Sequence, residues 1–348
     1  MRKRLNNLRK LMREKNIPAF FITRLADIAW LTYFTGSTAY LLVTENEARF
    51  ITDGRYETQV KEHLPDFWTL EIAKSYQNCF TAHAKGRIVF QKEGTLGLMH
   101  LFETGGASVS VEEKDWLAEL RIVKDAGELV KLKEEYILAG NAFLDALSKY
   151  AYGDPECRWS AILEFNMKLE GASPSFETIV ASGARGALPH GVASNKIIHE
   201  SDAVTVDFGS KRIYNSDYTR VIYQGNDPEI IKIIDTVRTA LEVARDLVRP
   251  GVKCAILDEA ASNIIDKRGY KGFFNHSLGH GVGLEVHELP RISALAEETI
   301  LKPGMVFTIE PGIYIPSKYG IRLEETVYVT ETGCELLSAV LDKYVYTI

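Results

Sequence analysis

The sequence predicts two domains in tandem: an α/β domain over residues 1–122, then an α+β domain over residues 123–348 built from two similar halves. Three observations predict this. In the first third, short apolar runs rich in β-formers alternate with helical or polar stretches. Where that alternation ends, Asp125 followed by Glu128 has the form of a capping box, the start of a long helix. Further on, Thr205-Val206-Asp207-Phe208-Gly209 is echoed by Thr308-Ile309-Glu310-Pro311-Gly312, each with a carboxylate closing a β-branched run.

The chain opens on a basic stretch, MRKRLNNLRKLMREKN, in which Leu5, Leu8 and Met12 make a helical stripe. No apolar h-region follows it, so it reads as a first helix rather than a signal peptide. Strands are expected over residues 19–23, 40–44, 49–52 and 87–90. His63, His83 and His100 lack metal-ligand spacing and read as structural or surface residues. After Asp125 a helix should run to about residue 150, with Leu129, Leu132, Ile137, Phe143 and Leu147 on its apolar side. Gly153-Asp154-Pro155 breaks the chain before a second helix over 159–169. A strand at 178–182 and a loop over 183–191, ending at His190-Gly191, lead into a hairpin with arms at 203–208 and 218–223. Two more helices, 228–248 and 255–267, precede HSLGHGVGLEVHELP and two long strands over 304–315 and 320–330. So each hairpin follows a pair of helices.

Composition narrows the function. A 46% hydrophobic chain of 348 residues can bury a sizeable core. A net charge of −6 argues against nucleic acid as a partner. No apolar run approaches the roughly 18 residues of a membrane span. Cys79, Cys157, Cys254 and Cys334 lie far apart without a CxxC, which fits a reduced, cytoplasmic setting and offers no thiolate metal site.

The hairpins carry the chemistry. Asp207 and Asp217 sit in an apolar setting, where two acids raise each other's pKa unless a cation lies between them; a solvated hairpin edge is the alternative. Glu310 and Glu324 repeat the arrangement in the second hairpin. Hard oxygen ligands with one or two imidazoles favour manganese, iron or cobalt over a structural zinc. His276 and His280 are spaced as a helical zinc pair would be, but Gly279, Gly281 and Gly283 favour an extended segment there. The same glycines lack the GxGxxG spacing of a dinucleotide loop.

Taken in order, His190, VDFG with SDYTR, HSLGHGVGLEVHE, TIEPG and GIRLEETVYVT resemble the pita-bread metallopeptidases of the Xaa-Pro dipeptidase (prolidase) and aminopeptidase P type. The resemblance covers residues 123–348, and the first domain is similar in length and position to the creatinase-type N-terminal domain. It implies a pita-bread catalytic domain with pseudo-twofold halves and an Xaa-Pro peptide substrate. It implies two divalent ions per subunit, manganese or cobalt first, with zinc or iron as alternatives. The implied ligands are Asp207, Asp217, His280, Glu310 and Glu324, with Asp217 and Glu324 bridging. Catalytic roles fall by the same matching to Glu310, as proton carrier, and to His287, His190 and His276. Arg322 would support the bridging carboxylates from behind, and His199 matches nothing. In such enzymes a metal-bridged hydroxide attacks the scissile carbonyl, and the protein works as a cytoplasmic homodimer. Four other readings compete: aminopeptidase P acting on longer peptides, the metal-free creatinases, methionine aminopeptidase, which shares the site but normally lacks a preceding domain of about 120 residues, and a binding module that lost catalysis. One departure stands out. Relatives usually place one more residue between the two aspartates, here ten apart, so an odd-length loop or bulge is needed, with a tight turn near 211–213.

Overall fold

Leu5, Leu8 and Met12 set one face of the first helix, α1 (Arg2–Glu14), and all three are buried. Arg4 is buried with them and donates from Nη1 to the Trp30 carbonyl at 2.6 Å. The computed structural model describes residues 1–92 and 96–348, which divide into two units, Met1–Arg121 and Ile122–Ile348. In the first, α1 is followed by β1 (Ala19–Ile22), α2 (Leu25–Thr32), β2 (Tyr40–Thr44), β3 (Ala48–Thr52), α3 (Glu57–His63), β4 (Thr69–Ile72) and α4 (Tyr76–His83). Then come β5 (Arg87–Phe90), α5 (Leu96–Thr104), β6 (Ser108–Val111) and α6 (Trp116–Arg121). The strands make one mixed sheet in the order β4-β3-β2-β1-β5-β6. Central β1, AFFI, is buried at every residue, as a strand covered on both faces must be. Its Phe21 meets Phe80, Phe90 and Phe102 at centroid distances of 5.3, 5.0 and 4.8 Å. The four expected strands are present. β4 and β6 were not expected, because TLEI and SVSV are half-exposed edge strands without a marked apolar run.

In the second unit, α7 (Ala126–Leu147) begins at the capping box: Asp125 accepts from the Glu128 amide, and Glu128 accepts from the Asp125 amide, both at 3.0 Å. Its buried face holds Leu132, Tyr136, Ala139 and Phe143, but also Glu128 and Glu135. Ile137, expected on that face, is 49% exposed, because Tyr136 takes the inward position and the next residue turns about 100° away. α8 (Glu156–Leu169) starts earlier than expected, at a buried glutamate. Next come β7 (Ser173–Pro174), β8 (Ile179–Ser182), β9 (Val204–Phe208), β10 (Ser210–Lys211), β11 (Tyr218–Ile222), α9 (Pro228–Asp246) and α10 (Cys254–Lys267). The chain ends with β12 (Gly279–Gly281), β13 (Glu288–Ile292), β14 (Val306–Ile309), β15 (Gly312–Ile315), β16 (Tyr319–Arg322), β17 (Glu325–Val329), β18 (Cys334–Leu336) and β19 (Val345–Tyr346).

Two sheets, β19-β11-β9-β8 and β13-β12-β14-β17-β18, therefore each follow a helix pair. This is the pita-bread arrangement of two similar halves. Val237 and Leu241 of α9, Leu257 and Ala261 of α10, and Phe307 and Val327 of the second sheet share one buried cluster. The two long strands expected at 304–315 and 320–330 are each broken. β14 and β17 pair in the main sheet, whereas β15 and β16 form a separate ribbon. The breaks fall at Glu310-Pro311 and Leu323-Glu324. Pro311 has no amide to give a ladder, and the two glutamates occupy the breaks.

Candidate metal centre

β9 and β11 are antiparallel, with Asp207 opposite Thr219 and Phe208 opposite Tyr218. In that register Asp217 lies diagonal to Asp207 on the same face of the hairpin. The ten-residue spacing is accommodated by an odd loop. Ser216 donates its amide to Ser210 at 2.9 Å, and Lys211 bridges to Asn215. This leaves Arg212-Ile213-Tyr214 as the turn. Helix α7 holds it in place: Tyr214 donates its hydroxyl to Glu128 at 3.1 Å, and both Ser210 Oγ and Arg212 Nε donate to Glu135. The unexpected acids on the buried face of α7 thus shape the loop that delivers Asp217.

The second hairpin pairs Thr308 with Thr326 and Ile309 with Glu325. One step further brings Glu310 opposite Glu324, while the matching step in the first hairpin brings Gly209 opposite Asp217. Asp217 and Glu324 therefore correspond between the halves. Asp207 and Glu310 do not: they are offset by two residues, an even shift that keeps both on the inner face. The sequence echo overstates the symmetry by that offset.

His280 lies on β12 between two strands. A Cβ at Gly279 would stand 1.9 Å from the Thr308 carbonyl oxygen, and one at Gly281 would stand 2.1 Å from that of Leu289. Only glycine fits on either side of this histidine. The His280 Nδ1–H donates to the Gly281 carbonyl at 3.1 Å, which leaves Nε2 facing Glu310 Oε1 at 3.2 Å and Asp217 Oδ2 at 3.7 Å.

Oxygens of Asp207, Asp217 and Glu324 lie within 4.8 Å of one another. Asp217 is 5% and Glu324 2% exposed. Burial, and next the neighbouring carboxylates, push both far above the usual carboxylate range. Burial likewise raises Asp207, against the opposing pull of Arg322. Glu310 differs. Burial is the largest single influence and pushes it up, but its hydrogen bond and charge pairing with His280, joined by His276 and Arg322, together hold it at about 2. In return Glu310 raises His280 against the effect of burial. Asp207 Oδ1 and Glu324 Oε1 are buried with no hydrogen-bond partner among the described residues. Buried acids this close, with oxygens left unpaired and an imidazole nitrogen facing in, match the donor set of a divalent metal centre.

Arg322 is placed otherwise than expected. Its Nη2 pairs directly with Asp207, its charge also acts on Asp217 and Glu324, and it is joined to Glu324 through Thr219. Nε donates to Thr219 Oγ1 at 3.1 Å, and that hydroxyl donates to Glu324 Oε2 at 3.0 Å. Nη1 donates to the Tyr314 hydroxyl at 2.9 Å and to the Pro189 carbonyl at 3.1 Å. Arg322→Met should therefore destabilise the metal-free protein by about 3–5 kcal/mol, because Asp207 is left buried without its cation. Added divalent ion should restore part of the loss. Urea unfolding with and without ion checks both.

Histidines ring the carboxylates. His276 Nε2 and the Tyr314 hydroxyl are 2.9 Å apart, and His287 meets His280 at a ring distance of 4.2 Å. His276 is lowered by burial first, and so is His287, with His280 next. His190 is exposed and is a minor contributor to the lowering of both His276 and His287. His199 is exposed on a turn away from this group. Sequence reasoning missed Thr219, Thr308, Tyr314 and Glu156. Thr219 was findable, since it faces Asp207 across the hairpin. Thr308 lies two residues before Glu310 and donates to it at 3.1 Å. Tyr314 and Glu156 act through long-range contacts with no local signal. Fully buried Glu156 accepts from both Ser182 and Ser194, amide and hydroxyl, and from Arg185, so it fixes the loop that carries His190.

Residues 131–331 match Metallopeptidase family M24, and residues 4–123 match the Creatinase/Prolidase N-terminal domain. The chain is 38% identical to an Xaa-Pro dipeptidase of Pyrococcus furiosus over 97% of its own length and 98% of the relative's. Among solved structures, it is similar to the prolidase of Pyrococcus horikoshii OT3, with a TM-score of 0.92 at 34% identity, covering 97% of this chain and 98% of that one. The X-Pro aminopeptidase of Thermotoga maritima MSB8 gives 0.87 at 36% identity, covering 95% and 97%.

Proposed function

From the premise that this chain belongs to metallopeptidase family M24, we propose that it is a metal-dependent exopeptidase hydrolysing the bond between an N-terminal residue and proline. The observation that carries the reading is the buried group of Asp207, Asp217 and Glu324 with the His280 nitrogen facing it. On this reading Asp207, Asp217, His280, Glu310 and Glu324 would hold two divalent ions, Asp217 and Glu324 serving both. Manganese or cobalt suits that oxygen-rich set best. Bound there, the ions would supply an acidified water and a polarising charge for the scissile carbonyl.

The chain's own groups do the rest. Glu310 takes a proton from the attacking water at its carboxylate and delivers it to the departing proline nitrogen. His287, exposed at the rim, donates to the carbonyl oxygen as negative charge grows there. His190 and His276 orient the peptide, and Asp207 receives the free α-amine, which confines attack to the N-terminal residue. Arg322 and Thr219 keep Asp207 and Glu324 in place. Selectivity for proline and preference for dipeptides are carried by the relatives, among them the Xaa-Pro dipeptidase of Pyrococcus furiosus. The protein acts, on the same reading, as a cytoplasmic homodimer.

Purified protein loaded with manganese or cobalt should hydrolyse Ala-Pro, lose that activity in a chelator, and regain it when the ion is restored. A panel of Xaa-Pro di- and tripeptides left intact by the loaded protein would end the proposal. Including Ala-Pro-Pro separates a dipeptidase from an aminopeptidase acting on longer chains.

A further inference from the structure

A second group of metal-ligating side chains lies in the first unit, where the sequence showed no ligand spacing. Cys79 and His83 are one turn apart on α4, and Glu71 reaches them from β4. The Cys79 thiol donates to Glu71 Oε1 at 3.0 Å, and His83 Nε2 lies 2.7 Å from Glu71 Oε2. One ligand atom from each of the three falls within 4.8 Å of the others. Cys79 is buried, whereas the His83 and Glu71 side chains are 22% and 26% exposed, so an ion and a water ligand have access.

We propose that Glu71, Cys79 and His83 form a separate site for one zinc-class divalent cation. Sulfur, imidazole and carboxylate make a borderline-soft set that zinc or cobalt(II) accepts with water in the fourth position. This set differs in kind from the sulfur-free carboxylate centre. Binding replaces the Cys79 Sγ proton, which leaves to solvent, so the dication is neutralised by one thiolate and one carboxylate. Arg49 now donates to Glu71 at 2.8 Å, but it also pairs with Glu47 and keeps that partner when Glu71 turns to the ion. The rival arrangement is a hydrogen-bond network that never takes up metal.

Cobalt(II) distinguishes them, because a thiolate ligand gives a charge-transfer absorption that oxygen and nitrogen ligands do not. Titrated into the reduced full-length protein, cobalt(II) should raise that band to a plateau whose intensity corresponds to one thiolate-bound ion per chain, apart from the ions taken up at the carboxylate centre. The band should vanish in Cys79→Ser and in His83→Gln, yet persist in Asp217→Asn, where the carboxylate centre is damaged. Added zinc should bleach it. No band in the wild type, or a band that survives either of the first two substitutions, overturns the site. This outcome is independent of peptidase activity.

Discussion

Replacing Asp217 with asparagine should abolish Xaa-Pro hydrolysis and metal uptake at the carboxylate centre, yet leave the metal-free protein no less stable at neutral pH. Asp217 is buried beside Glu324 and Asp207, and among the described residues its only ion-pair partner within 4 Å is His280. Burial, then Glu324, then Asp207 raise its pKa well above an ordinary aspartate's. A carboxyl raised on folding takes up its proton more tightly in the folded state. Its contribution is fully present below the unfolded value, about 4, and is lost as the pH climbs through the raised folded value. Metal-free wild type should accordingly melt lower as the pH rises from about 5 to about 8, and Asp217→Asn should flatten that dependence. Loaded with ion the order reverses. An ion at a hundred times its Kd stabilises wild type by about 2.7 kcal/mol, and the variant forgoes that gain. Thermal melts with and without manganese at the two pH values check each limb. An unchanged ion content in the variant would remove Asp217 from the site.

Glu310→Gln should lower kcat by about 10²–10⁴-fold with little change in KM. The glutamine is nearly the same size and can still accept from the Thr308 hydroxyl, but it cannot carry a proton. Against the upward push of burial, His280, His276 and Arg322 together hold Glu310 at about 2, so it is ionised across any assay range and ready to accept. The decisive readout is ion content measured on the same samples as the rates. Rates that fall while both ions remain bound identify proton transfer. Rates and ion content that fall together reduce Glu310 to a ligand.

Much of this arrangement was legible because carboxylates in β-branched runs are costly, and so conspicuous. The pleat also fixed parity: Asp207 and Asp217 share a face once an odd loop is granted, and the Arg212–Tyr214 turn supplies one. The glycines around His280 signalled an extended, crowded strand, as the close approach of the Thr308 and Leu289 carbonyls explains. What stayed hidden is non-local. Glu128 was legible only as a helix-capping residue and nothing singled out Glu135, yet the two grip a turn some 75 to 86 residues away. Arg322 pairs with Asp207 across 115 residues. His83 read as a structural or surface histidine because its partner Glu71 sits on a strand that no apolar pattern announced.

Crystals of the manganese-loaded protein, measured at an energy where manganese scatters anomalously, test the central claim most directly. Two anomalous peaks about 3.5–4 Å apart are predicted, both enclosed by Asp207, Asp217, His280, Glu310 and Glu324, with Asp217 and Glu324 touching each. A single peak, or peaks that leave Asp217 and Glu324 without a shared ion, would contradict it.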